Sequence, residues 1–113
     1  MATIREKIIE QRDKILSNDA DVASEAISRL RTQAVAAMYG GPGSEAWVTF
    51  MRNFADNDAQ LARLTERRVE DHLCNRYIDL ARTYLIGNAV CTPNTTLHFL
   101  DGIDDILDQT LSG

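Results

Sequence analysis

Cysteine, proline and tryptophan are scarce: two, two and one in 113 residues. So few thiols exclude a disulfide-dense framework, the usual support of small secreted domains. No apolar run approaches the roughly 20 residues of a membrane-spanning helix, and the opening Ala2-Thr3-Ile4-Arg5-Glu6-Lys7 lacks the apolar core of a secretion signal. The expectation is a soluble cytoplasmic protein with no use for a membrane and with Cys74 and Cys91 both reduced. Strict apolar-polar alternation extends over no more than a few positions, too short for a half-buried strand. Basic charge is also in deficit. Twelve Lys and Arg against 17 Asp and Glu leave a net charge of −5, which opposes attraction to phosphate backbones and anionic lipid. Nucleic acid is therefore an unlikely partner on charge alone.

What remains is ordinary globular material, with 44% hydrophobic and 26% charged residues, a balance typical of folded chains and foreign to disordered ones. A chain of this length buries roughly 65% of its unfolded surface without a metal or disulfide. The expectation is one helical domain over residues 1–113. Its fold class is all-α, an antiparallel bundle of four to five helices with one long central helix.

That central helix is expected within residues 57–87, the longest stretch without proline or internal glycine. Val69, Leu73, Tyr77, Leu80 and Tyr84 recur at steps of three and four and form one stripe. On a continuous helix Leu61 and Leu64 point roughly 150° away from that stripe. Between the two faces runs Thr65-Glu66-Arg67-Arg68-Val69-Glu70-Asp71-His72, in which six of eight residues are charged or titratable. A kink, or a projection from one core into a second contact, is expected there.

Elsewhere the start and stop signals are clear. Thr3-Ile4-Arg5-Glu6 is a capping box opening a helix that buries Ile4, Ile8 and Ile15 and ends near Ser17. A second helix begins near Asp21 and carries Ala23, Ile27, Leu30, Ala34, Ala37 and Met38, its alanines small enough for a close neighbour. Gly40-Gly41-Pro42-Gly43 stops it. Ser44 caps a short third helix bearing Trp47, Phe50, Met51 and Phe54, the densest apolar cluster of the chain. Asp56-Asn57-Asp58 opens the central helix and Gly87-Asn88 closes it. Thr95 or Thr96 then caps a last helix with Leu97, Leu100, Ile103, Leu107 and Leu111, which Gly102 divides or weakens at about 1 kcal/mol.

Residues of catalytic type form no recognisable constellation. Glu70 and His72 stand two apart and face different sides of a helix, so the paired Glu-x-x-His pattern of a carboxylate-bridged metal centre is missing. Neither a metal site nor a cofactor is expected, and no catalytic residue is assigned. Gly40 to Ser44 lacks the lysine and glycine spacing of a phosphate loop. Arg63, Arg67, Arg68, Arg76 and Arg82 scatter round a helix among acids and read as a solvated, salt-bridged surface.

Three functional readings follow. The first is a non-catalytic interaction or assembly module, self-associating or binding another protein, whose interface uses Trp47, Phe50, Met51, Phe54, Leu61 and Leu64. Its warrant is the surplus of apolar faces over what a minimal bundle must bury. The second is a small ligand-binding or catalytic protein with Cys74, Tyr77 or His72 in the wall of an interhelical pocket. The third is a helix-turn-helix DNA-binding protein over Gln33 to Arg52. Against it, the would-be recognition helix presents Glu45, Trp47, Phe50 and Met51, with Arg52 its one cation.

Overall fold

A computed structural model describes residues 2–86 and 92–112. Among them the chain forms six α-helices and no strand: α1 (Ile4–Ile15), α2 (Ala20–Gly40), α3 (Glu45–Met51), α4 (Asp58–Leu64), α5 (Arg67–Ala81) and α6 (Pro93–Ser112). A 3₁₀ turn, Arg52–Phe54, follows α3, and a π turn, Arg82–Ile86, ends α5. The radius of gyration is 13.1 Å, close to the roughly 13 Å of a compact chain this long.

Local signals act where the sequence places them. The capping box is complete: the Glu6 amide donates to Thr3 Oγ1 at 3.1 Å and the Thr3 amide to Glu6 Oε1 at 3.3 Å. Asp19 caps α2 by accepting from the amides of Asp21 and Val22. Gly41 and Gly43 hold φ of 76° and 81° in the turn that follows, a conformation in which a β-carbon is strained. Ser44 Oγ then accepts from the Trp47 amide at 3.2 Å and donates to the Gly41 carbonyl at 2.7 Å, so one hydroxyl closes the turn and opens α3. Asn57 does the same service for α4 through the Gln60 amide at 2.9 Å.

The central helix is corrected. In place of one rod the chain forms two helices, because Glu66 adopts extended backbone (φ −61°, ψ 136°) and α5 starts afresh behind it. The Thr65 hydroxyl donates to the Leu61 carbonyl at 2.9 Å and so helps end α4. The 150° divergence of faces assumed a continuous helix. Once the chain turns at 65–66, both faces turn inward: Leu64, Val69, Leu73 and Tyr77 are each 0% exposed, and Leu64 shares one core with Leu73 and Tyr77. Six helices thus replace four or five, and the longest are α2 and α6.

Gly102 is the second correction. It interrupts nothing, and α6 runs unbroken from Pro93 to Ser112. The start is earlier than expected. Thr92 Oγ1 accepts from the Thr95 amide at 3.2 Å, and Pro93 occupies the first helical position, where its missing N–H costs nothing. The expected stop at Gly87-Asn88 lies outside the described residues.

The core gathers round Tyr77. Its ring meets Trp47 edge-on at 5.3 Å and Phe99 at 5.8 Å, while Phe50 lies at 5.8 Å and packs in turn on Phe54 at 5.2 Å. Such pairs contribute about 0.5–1.5 kcal/mol each beyond their burial. The phenol is satisfied by donating to the Ala34 carbonyl at 2.5 Å, which ties α5 to α2. Along the outside, Arg5 pairs with Asp104 and Arg12 with Asp101, an order that sets α1 and α6 antiparallel.

Candidate functional site

The six residues assigned to an interface do not make an exposed face. Trp47, Phe50, Met51, Phe54 and Leu64 are 0% exposed, and Leu61 is half-buried against the same core. The cause is the turn at 65–66 together with the short α3, which folds its aromatic side inward between α2, α5 and α6. Apolar surplus at these positions is core: five of the six side chains are out of reach of solvent and the sixth is partly so.

The residues proposed for a pocket wall are equally dispersed. Tyr77 is buried and spent on Ala34. His72 is exposed. Cys74 is half-buried, and burial together with the nearby Asp71 pushes its thiol pKa up, away from the thiolate that a nucleophile needs. Cys91 lies outside the described residues. Glu70 is a buried acid (6% exposed) whose carboxyl is raised by burial, opposed by the Gly43 amide and reinforced by Asp71.

Carboxylates do collect on α6, where Asp101, Asp104, Asp105 and Asp108 share a side. Burial pushes the Asp104 carboxyl up, Arg5 opposes this and its three acidic neighbours add to it. Among the described residues no three His, Cys, Asp or Glu side chains are placed to hold a metal ion. Two members of the acidic row are already engaged by Arg5 and Arg12 across the α1–α6 seam.

The helix-turn-helix outline exists as α2, the glycine turn and α3. However, Trp47, Phe50 and Met51 face the interior, leaving Glu45, Thr49 and Arg52 outward. One carboxylate on a short helix and one cation in the turn behind it are poor chemistry for a phosphate-lined groove.

The open surface feature is on α2, the helix whose alanines were expected to admit a close neighbour. This helix, 21 residues long, buries Ala26, Leu30, Ala34 and Ala37 and turns a second side outward. Ala20, Ala23, Ile27, Arg31 and Val35 line an open furrow of about 770 Å³ with Pro93 at its edge. Ser24 and Ser28 complete the floor with side chains no larger than a hydroxymethyl. Positions 20, 24 and 28 repeat every four residues, the ridge spacing on which a neighbouring helix packs. Ala23 and Ile27, expected in one stripe with Leu30, Ala34 and Ala37, line this outer furrow while the other three are buried. A smaller depression of about 410 Å³ between α5 and α6 is lined by Arg76, Asp79, Leu80, Thr83, Tyr84 and Asp105 among others. Arg76 is held there by Gln109.

No described helix is long and apolar enough to cross a membrane. Compared with protein-family models, with curated proteins and with solved structures, the chain matches none.

Proposed function

We propose that this protein is a non-catalytic helical assembly module that self-associates through the outward side of α2. One observation supports this reading: the longest helix of the fold leaves a furrow floored by Ala, Ser and Ile side chains over four turns. Small residues at helical spacing let a second backbone approach within the 8–10 Å of ordinary helix packing. Association would remove Ile27, Val35 and their neighbours from water at about 25 cal/mol per Å² of apolar surface. The assembly role expected from the sequence is proposed here on a different surface, α2 in place of the buried α3 and α4 residues.

Light scattering coupled to size exclusion tests this at tens of micromolar protein. The expected result is a mass above that of one chain, falling towards it for Ser28→Glu, a change at an exposed position that puts a charge on the furrow floor. A wild-type protein that stays strictly monomeric at those concentrations removes the proposal.

A further inference from the structure

Charge is unevenly distributed along α2. Asp19 at the cap, Asp21 and Glu25 occupy its N-terminal end, and Arg29 and Arg31 its middle. Two of these charges are spent within the chain, since Arg29 pairs with Glu25 and donates to Gln11. Asp19 is used as the cap. Asp21 and Arg31 remain, and neither makes an ion pair among the described residues. Arg31 lines the furrow itself, half-buried beside Ile27 and Val35. Asp21 lies on its flank, exposed, about 70° round the helix from the furrow's middle.

An occupant of this furrow gains by bringing a carboxylate to Arg31, and gains further by bringing a cation to Asp21. Another α2, laid antiparallel, brings both. Ten residues separate Asp21 from Arg31, about 15 Å along the axis, so a two-fold axis midway, at the level of Ala26 and Ile27, superposes each charge on its opposite. A parallel arrangement in register would set Arg31 against Arg31 and Asp21 against Asp21, which costs free energy. Resting on the self-association reading above, we infer that two copies pack α2 against α2 in antiparallel register, Arg31 of each meeting the partner's Asp21, with Ile27 beside the symmetry axis.

Charge reversal on the full chain tests the register. Asp21→Arg and Arg31→Asp each place like charges opposite one another twice per dimer, and each is expected to raise the dissociation constant about tenfold or more. The double variant restores both pairs with reversed polarity and is expected to return to within about threefold of wild type, a difference well under 1 kcal/mol. Thermal melts followed by circular dichroism identify any variant that has lost its fold. Should one do so, Ile27→Cys in a Cys74→Ser, Cys91→Ser background provides a second readout, because thiols beside the axis are expected to form a disulfide-linked dimer on mild oxidation. A wild-type dimer whose affinity ignores both single reversals, a double variant no better than the worse single one, or an Ile27→Cys dimer that never cross-links overturns the antiparallel register and leaves self-association standing. A monomeric wild type overturns both.

Discussion

Gly102 on α6 lies so close to Leu80 on α5 that a β-carbon on the glycine would stand 2.5 Å from Leu80 Cδ1 and 3.0 Å from Cγ. Real β-carbons do not approach other atoms so closely, so a side chain at 102 obliges the tip of Leu80 to move. The glycine's intrinsic penalty inside a helix, about 1 kcal/mol, is offset by the packing it permits. Gly102→Ala is accordingly expected to destabilise by up to about 2 kcal/mol, overpacking against Leu80 outweighing the gain in helix propensity. Combining it with Leu80→Ala should recover part of that loss in a double-mutant cycle measured by urea unfolding. A rise in the unfolding midpoint for Gly102→Ala alone would show that Leu80 swings aside without cost.

Tyr77 carries the link between α5 and α2 through its hydroxyl on the Ala34 carbonyl. Tyr77→Phe keeps the ring contacts with Trp47, Phe50 and Phe99 and deletes that single bond. A loss of about 1 kcal/mol is expected, in keeping with one buried neutral hydrogen bond, with an unchanged denaturant slope. Burial raises the phenol pKa well above its ordinary value, so the tyrosinate absorbance of this residue should be absent from an alkaline titration until the fold opens.

Leu64 separates core from interface. It is 0% exposed, so Leu64→Ala should cost about 2–4 kcal/mol through lost burial and the cavity left behind. The assembly state of the fraction that remains folded should not change. A Leu64→Ala protein of wild-type stability that loses its oligomeric state would return this residue to an intermolecular surface.

Glu70 gives the pH dependence a definite sign. Its folded-state pKa lies above the ordinary 4.5, so the folded chain holds this proton where the unfolded chain has released it. Stability from this group is complete below the unfolded value and is lost as pH rises through the raised one. Glu70→Gln keeps an acceptor for the Gly43 amide and removes the buried charge. The melting temperature is expected to rise at about pH 7 and the difference to vanish towards about pH 4, where wild type is itself protonated. An equal shift at both pH values would assign the effect to shape and not to charge.

Caps, turns and helix phases were legible from residues alone because each depends on neighbours within a few positions. Thr3 with Glu6, Asp19 before Val22, Ser44 before Trp47 and Asn57 before Gln60 all act through hydrogen bonds spanning two or three residues. The inward stripe of Val69, Leu73 and Tyr77 followed from periodicity, and the structure buries all three. The turn at Glu66 was harder to read. A polar mid-section signals a weak point, but its extended backbone gains by bringing Leu64 and Leu73 into one interior, and that gain lies in contacts far away in the chain.

By itself, then, the sequence determined that this chain is helical, where most helices start and which residues are greasy enough to need cover. The tertiary structure alone decided what covers them. Trp47, Phe50, Met51, Phe54 and Leu64 satisfy one another inside a single chain, and the quieter Ala and Ser side of α2 is left outward. The physical reason is one of range. Backbone hydrogen bonds and helical periodicity are properties of adjacent residues, whereas burial is a property of the whole surface and is settled only when every helix has found its neighbour.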